Sequence, residues 1–320
     1  MNRQEFFNRA MAEILEQLPK NMRKGVTLTM NSVLKCNDIE LHGVSLKKGS
    51  EDISPNIYLD NYYERFENGE PMKDLMQEVT GIFTETERPE GMPQPKDIPL
   101  DYSSIKDKLT FRLLEMKRNR MYLVNTPYMP VGNGLALVCD VKLKSGEDGE
   151  WRTTITKDMM EKYGYDKRQL FLDGLKNVQN VDPPVMMDMQ QNVFGLGADN
   201  VLDKETGAIE KSNMYVLSNK SGVLGASVLF YPEIQEKVSE KIGEGYYVLP
   251  SSLHEVIVVP ESAGFDAKGL TDMVRDANSS VVDAKDILSD NVYHFDMAER
   301  KLETAHEPKA LGDRVSEGRS

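Results

Sequence analysis

Cysteine, histidine and long apolar runs are all scarce in this sequence. Its 320 residues contain two cysteines, Cys36 and Cys139, which excludes a disulfide framework and fits a reducing compartment. The four histidines and two cysteines form neither a CxxC nor an HExxH pattern, so we predict no metal site and no cofactor. Apolar runs such as GLALVC and VIVVP are far shorter than the roughly 20 residues of a membrane span, so we predict no membrane partner.

Basic residues are also in deficit. The sequence has 52 acidic and 39 basic residues, which gives a formal net charge of −13. A surface of this sign repels phosphate backbones, so we predict no nucleic-acid partner. Two interpretations of the charge stay open. It keeps the protein soluble, or it forms an acidic surface that binds a basic partner or imitates DNA.

The N-terminal stretch MNRQEFFNRAMAEILEQLP does not have the pattern of a signal peptide. Glu5, Glu13 and Glu16 interrupt what would have to be its apolar core. Apolar residues instead recur at helical spacing, which predicts an amphipathic helix. These residues are Phe7, Met11, Ile14 and Leu18. Together with the scarce cysteine, this pattern predicts a cytoplasmic protein.

Hydrophobic residues make up 39% of the chain, enough for a packed core. The segments VTLTM and IELHGVSL alternate like a pair of neighbouring strands. Ser54 and Pro55 fit the cap and first turn of a helix, NIYLDNYYERFENG, which would carry Tyr58 on its apolar stripe. The segment PMKDLMQEVTGIF predicts a second helix, packed against the first or against a shared sheet.

Four prolines between residues 89 and 101 forbid regular structure there. We predict an N-terminal region over residues 1–88, then a linker or crossing loop over 89–101. An α+β domain would cover residues 102–304, and a disordered tail residues 305–320. Whether the proline-rich stretch separates two independent domains stays open.

Strands and helices are mixed in the second half without regular βαβ alternation. GLALVCDVKL predicts a strand, DKRQLFLDGLKNVQ a helix, and YYVLPSSLHEVIVVP a β-hairpin with PSSLH at its middle. The segment LTFRLLEM is ambiguous, because its alternation is blurred by Leu114 and Met116. The pattern predicts an α+β fold with a mostly antiparallel sheet.

Three long segments resemble one known family. They are LHGVSLKKGSEDISPNIYLDNYYERFENG, MYVLSNKSGVLGASVLFYPEIQEKVSEKIGEGYYVLPSSLHEVIVVPE and ILSDNVYHFD. In order and spacing they are similar to a family of clostridial and gut-bacterial proteins, domain of unknown function 5688. The resemblance runs from about residue 5 to residue 300. It implies no substrate, cofactor or catalytic residue.

The hairpin connection PSSLHE holds the densest group of chemically versatile side chains. Its candidate residues are Ser251, Ser252, His254 and Glu255. Ser, His and Glu are the residue types of a nucleophile, its base and the acid that orients the base. A turn whose hydroxyls and imidazole bond the local backbone explains the same residues. The spacing of Ser252 and Glu255 also matches a helix capping box, but the β-branched run that follows disfavours a helix.

Two functions of different classes follow. In the first, the protein is a non-enzymatic binding or regulatory protein with a protein partner, acting through an acidic surface or near the PSSLHE hairpin. In the second, it is a hydrolase-like enzyme that uses Ser252, His254 and Glu255 with partners elsewhere. The enzyme requires His254 within hydrogen-bond reach of a hydroxyl nucleophile and a carboxylate. The binding protein requires only a well-ordered turn.

Overall fold

The computed structural model describes residues 1–48, 56–85, 101–146, 149–193, 199–205 and 212–305. The chain divides into two compact units, Met1–Pro99 and Leu100–Ser320. Residues 89–100 of the predicted linker and 306–320 of the predicted tail lie outside the described residues. None of the described helices has the length and apolar character needed to cross a membrane.

The first unit combines helices with a three-stranded antiparallel sheet in the order β1-β2-β3. Its elements are α1 (Arg3–Gln17), α2 (Lys20–Arg23), β1 (Val26–Leu34), β2 (Glu40–Lys48), β3 (Asn56–Tyr58), α3 (Asp60–Glu67) and α4 (Met72–Glu85). The predicted amphipathic helix at the N-terminus and the predicted strand pair are therefore confirmed.

Helix α1 begins with a capping box. The Asn2 side chain accepts a hydrogen bond from the backbone of Glu5, and the Glu5 side chain accepts one from the backbone of Asn2. The buried face of the helix packs into one core with β2 and α4. That core consists of Phe6, Phe7, Ala10, Ile14, Leu18, Val44, Leu46, Leu59, Leu75, Met76, Val79 and Phe83. Burial of each large apolar side chain contributes roughly 1.5–3 kcal/mol.

The prediction that Tyr58 lies on a helix was wrong. Residues 56–58 form strand β3, and α3 begins only at Asp60, while Ser54 and Pro55 lie outside the described residues. The buried Asp60 carboxylate explains this start, because it accepts hydrogen bonds from the His42 backbone at 2.7 Å and from the Arg3 side chain. Asp60 thereby fixes the first turn of α3 against β2 and α1.

The second unit is larger and contains two antiparallel sheets. Its strands are β4 (Leu109–Glu115), β5 (Tyr128–Gly132), β6 (Leu135–Gly146), β7 (Gly149–Thr154), β8 (Pro184–Asp188), β9 (Tyr215–Asn219), β10 (Tyr246–Leu249), β11 (Val256–Pro260), β12 (Tyr293–Asp296) and β13 (Lys301–Thr304). Its helices are α5 (Tyr102–Ile105), α6 (Lys157–Tyr163), α7 (Lys167–Val181), α8 (Met189–Val193), α9 (Ile234–Ile242) and α10 (Ala267–Ser280). The predicted α+β class with antiparallel strands is confirmed.

The four-stranded sheet has the order β4-β6-β5, and β7 pairs with the second half of β6. One face is apolar and packs on α7, where the rings of Phe111 and Phe171 stack with centroids 5.8 Å apart. Gly174 permits this approach, because a Cβ at that position would lie 2.6 Å from the Phe111 ring. The opposite face carries polar and charged side chains.

The six-stranded sheet has the order β13-β12-β10-β11-β9-β8. Helix α10 packs on it, and Leu270 and Val274 of the helix join Leu249, Val259 and Val292 in one apolar cluster. Because neighbouring strands are antiparallel, β9 and β10 end where β11 and β12 begin. The segments that follow β9, connect β10 to β11 and precede β12 therefore meet at one end of this sheet.

Candidate functional site

The predicted hairpin is confirmed, and its connection is an ordered turn at that end of the six-stranded sheet. The Ser252 backbone N–H donates to the Glu255 carbonyl at 3.2 Å. The Ser252 hydroxyl accepts a hydrogen bond from the His254 backbone N–H at 3.0 Å. Strand β11 begins directly after Glu255, so the match to a capping box is a coincidence of spacing.

Both ring nitrogens of His254 face partners from other segments. Nδ1 accepts a hydrogen bond from the Leu224 backbone N–H at 3.2 Å, and Nε2 lies 3.6 Å from Asp286 Oδ1. An imidazole that accepts at Nδ1 carries its proton on Nε2, so the N–H of the ring points to the Asp286 carboxylate. The His254 side chain nevertheless stays 39% exposed.

The turn is clamped by backbone bonds on both sides. The Leu253 N–H donates to the Asp286 carbonyl at 2.8 Å, and the Leu253 carbonyl accepts from Ala226 at 3.3 Å. The Ser218 hydroxyl donates to the His254 carbonyl at 2.7 Å. Gly225 allows this closeness, because a Cβ there would lie 2.7 Å from the same carbonyl.

Leu224 stands in the left-handed backbone region, with φ of 55°. A non-glycine residue in that region costs roughly 1–2 kcal/mol, so surrounding contacts must hold it there. The hydrogen bond from its N–H to His254 is one such contact. His254 therefore acts on the conformation of the segment after β9, although it belongs to a different loop.

The structure brings together some of the four predicted residues and separates others. The carboxylate beside His254 belongs to Asp286 and not to Glu255, which takes part in the turn through its carbonyl. The Ser252 hydroxyl contacts the His254 backbone and not the ring. Ser251 is half-buried next to them. Nδ1 of His254 is bonded to a backbone N–H, Nε2 lies 3.6 Å from a carboxylate, and the Ser252 hydroxyl contacts neither nitrogen.

A buried ionic cluster on the polar face of the four-stranded sheet was not predicted from the sequence. At its centre, Asp182 accepts hydrogen bonds at 2.8 Å from both Lys142 and Arg152. Glu150 pairs with the same two cations, at 2.8 Å from Lys142. Thr110 also donates to Asp182. The two cations and two anions compensate each other, and each side chain is at most 16% exposed.

The pKa values in this cluster follow from burial and charge. Burial alone would lower the pKa of the Lys142 ammonium, but hydrogen bonds from it to Asp182 and Glu150 give a net rise. Burial also acts to lower the pKa of Arg152, but the charge of Asp182 and the hydrogen bond to Glu150 give a net rise. Burial raises the pKa of Tyr231, and the Asp182 charge adds to that rise. These groups therefore keep their charge states over a wide pH range.

Alternating charges in otherwise apolar strands were the available signal for this cluster. Thr110 and Arg112 alternate in β4, as Asp140 and Lys142 do in β6, and β4 and β6 pair so that Thr110 lies opposite Asp140. Arg112 donates to Asp140 at 2.9 Å on the same face. A period of two places all four on one side of a sheet. Asp182 follows α7, and nothing in the sequence pattern links it to them.

A second buried polar group joins the end of β4 to the segment before β12. The Ser289 hydroxyl donates to Glu115 at 3.1 Å and accepts from the Tyr293 hydroxyl at 3.0 Å. Arg118 pairs with Glu115 at 3.1 Å and also with Asp290. Burial raises the pKa of Tyr293 to about 12. All the hydroxyls have partners, so the group connects segments of the fold.

Among the described residues, no three His, Cys, Asp or Glu side chains are placed to hold a metal ion. Fold and site together define an α+β protein with antiparallel sheets and an ordered loop cluster at one sheet end. The chain belongs to DUF5688, a family of unknown function whose model matches residues 3–297. The resemblance to domain of unknown function 5688 seen in the sequence is thereby confirmed. Neither the curated proteins nor the solved structures contain a match.

Proposed function

We propose that this protein is a cytoplasmic, non-enzymatic binding or regulatory protein that contacts a basic protein partner through the loop cluster around His254. The supporting observation is the state of the His254 ring, which is 39% exposed while its Nδ1 is bonded to the Leu224 backbone N–H and its Nε2 lies 3.6 Å from Asp286. The bond to Leu224 holds the ring in place, and the Ser252 hydroxyl contacts the His254 backbone instead of the ring, so the two do not form a nucleophile–base pair. This arrangement suits recognition better than acid–base catalysis.

Rigidity of the loops favours binding for an energetic reason. Ordering a loop or a side chain on association costs about 0.5–1.5 kcal/mol for each immobilised group. The clamp on residues 252–254, from Ser218, Ala226 and Asp286, has already ordered this turn in the free protein. A partner that docks there loses less entropy than it would on a loose loop.

The charge of the loops favours a basic partner. The segment before β12 contains Asp283, Asp286 and Asp290. Lys285 pairs with Asp283 at 2.7 Å and Arg118 pairs with Asp290, so Asp286 supplies the negative excess. Glu255 adds a half-buried carboxylate from the neighbouring turn. The whole chain has a net charge of −13, so long-range attraction also favours a cationic surface.

The test is quantitative affinity capture from the native host with two matched variants. Glu255→Lys reverses a charge in the loop cluster, and Glu240→Lys makes the same change at an exposed position of α9. We expect one stoichiometric basic protein to be captured by the wild type and by Glu240→Lys but to be lost with Glu255→Lys. Equal capture by the two variants would contradict the proposal.

Hydrolysis is tested separately on the purified protein. We expect no turnover of aryl ester substrates above the buffer rate, because the Ser252 hydroxyl contacts the His254 backbone and not the ring that would have to take its proton. Turnover that disappears in Ser252→Ala, with an unchanged melting temperature, would replace the binding function with the hydrolase-like one. The substitution His254→Ala is a less specific test of hydrolysis, because it also removes the hydrogen bond from the Leu224 backbone N–H.

A further inference from the structure

The segment between β4 and β5 exposes two large apolar side chains close together. Met121 and Val124 are each 63% exposed. They stand three residues apart at the short 3₁₀-helix Tyr122–Val124, where positions i and i+3 lie on the same side. Their exposure places a small apolar surface on a protein with a net charge of −13.

This exposure does not come from a loosely held segment. Leu123 between them is only 7% exposed, and its backbone N–H donates to the Asn119 carbonyl at 3.0 Å. The fully buried Asn119 side chain in turn donates to the Glu115 carbonyl at 2.9 Å. The Lys157 ammonium donates to the Val124 carbonyl at 2.6 Å. The backbone therefore holds both apolar side chains in a fixed, outward position.

Two cations precede the apolar side chains closely in the sequence. Lys117 and Arg120 are exposed, and neither has a hydrogen bond or ion pair to another described residue. Arg118 between them is different, because it pairs with Glu115 and Asp290. We name Lys117, Arg120, Met121 and Val124 the apolar–basic patch. In a chain with a net charge of −13, these cations attract a partner that the rest of the surface repels.

We propose that the apolar–basic patch is a docking surface for an acidic protein segment that carries large apolar side chains. Met and Arg are enriched in interface cores, and exposed apolar groups rimmed by charge mark interaction sites. Opposite charge on the partner fixes its register while the apolar contact supplies affinity. The inference goes beyond the function proposed above, because it concerns different residues and a partner of the opposite charge.

Nucleic acid and lipid fit the patch less well. Both present extended negative charge, and the acidic surface around a small basic patch repels it. A protein segment can place a few carboxylates against Lys117 and Arg120 and an apolar residue against Met121 and Val124.

Fluorescence polarisation with two synthetic peptides tests the proposal on the full chain. The peptides share leucines at helical spacing, and one has glutamates where the other has lysines. We expect the glutamate peptide alone to bind, with an affinity that falls as salt is added. Lys117→Glu with Arg120→Glu should weaken binding at least about tenfold, because attraction becomes repulsion. The matched control, Lys268→Glu with Arg275→Glu on exposed positions of α10, should change it less than about twofold.

The apolar half of the patch has its own pair of variants. The double substitution Met121→Ser with Val124→Ser should weaken binding of the glutamate peptide at least about tenfold. The control substitution Val281→Ser, at a position that is 82% exposed, should leave the affinity for this peptide unchanged. If the double charge-reversal variant folds poorly, Lys117→Glu alone serves in its place, with a smaller expected loss of affinity.

Four results would overturn the proposal. They are no binding of the glutamate peptide, equal weakening by patch and control variants, binding only to phosphatidylserine vesicles or oligonucleotides, and self-association in sedimentation that depends on the patch.

Discussion

Asp182 lies with 1% of its side chain exposed and accepts hydrogen bonds from Lys142 and Arg152. Removing one member of such a cluster leaves a buried charge without compensation. This lowers the stability of the fold more than replacing the whole cluster by apolar residues does. Residues of this kind favour a single arrangement of strands, because Thr110 of β4, Lys142 of β6 and Arg152 of β7 all reach Asp182 only when the three strands are in register.

We expect Asp182→Ala to lower the free energy of unfolding by about 3–5 kcal/mol, because Lys142 and Arg152 remain buried. Urea denaturation followed by circular dichroism measures this loss. Asp272→Ala, at an exposed position of α10, should change stability by less than about 0.5 kcal/mol. A similar effect of the two substitutions would show that water replaces the Asp182 carboxylate.

Tyr293 gives stability a pH dependence in alkali. Burial raises its pKa from 10.0 to about 12 in the folded protein. Between those values the unfolded state loses the proton and the folded state keeps it, so stability falls as pH rises, by at most about 1.4 kcal/mol per pH unit. Below pH 10 this contribution is fully present.

The measurement compares urea denaturation at pH 9 and pH 11 in wild type and Tyr293→Phe. The variant loses the bond to Ser289 but also loses this titration, so its stability should fall less steeply with pH. Other buried tyrosines, such as Tyr231 and Tyr246, act in the same direction and remain in both proteins. Equal slopes would mean that Tyr293 ionises at its ordinary pKa.

At the scale of helices and strands, most elements followed from local pattern. Helices α1, α4, α7 and α10 show apolar residues at helical spacing, and β10 with β11 shows the predicted hairpin. Strand β4 was ambiguous because both of its faces are buried, and Leu114 breaks the alternation that Thr110 and Arg112 begin. Strand β5 contains Pro130, and proline disfavours a strand, so the sequence did not indicate one there. In the structure β5 is half-exposed.

The candidate site was predictable only in its local part. The sequence indicated an ordered turn at PSSLHE, and the hydroxyl of Ser252 does bond the local backbone. The partners of the His254 ring could not be predicted, because Leu224 lies 30 positions away and Asp286 follows another helix. Only the order of strands in the sheet brings those loops together.

Helix α7 depends on its N-terminal cap. The Asp166 side chain accepts the Gln169 backbone N–H at 2.7 Å, and the helix supports the apolar face of the four-stranded sheet. We expect Asp166→Ala to cost about 1 kcal/mol of stability and Asp166→Ser only a few tenths, because serine also caps. Thermal melting checks the order of the three proteins. A serine variant as unstable as the alanine variant would contradict the capping role.

At the scale of the whole molecule, the chain forms two units, each with apolar clusters of its own. We propose that the units fold independently. Expressed as separate chains, residues 1–99 and 100–320 should each melt cooperatively in calorimetry. A control division after residue 146, which separates β6 from β7, should leave its second chain unfolded. Failure of both proper fragments to melt cooperatively would show that each unit needs the other.

The two cysteines happen to be distributed one to each unit. Cys36 is 6% exposed and Cys139 is fully buried, where burial and the neighbouring Asp140 charge raise the thiol pKa. Alkylating reagents attack thiolates, so both sites should stay unmodified until the surrounding structure opens. Pulses of iodoacetamide along a urea series, resolved by peptide mass spectrometry, would then yield two unfolding curves from one wild-type sample. The two natural thiols thus report separately on the unfolding of each unit.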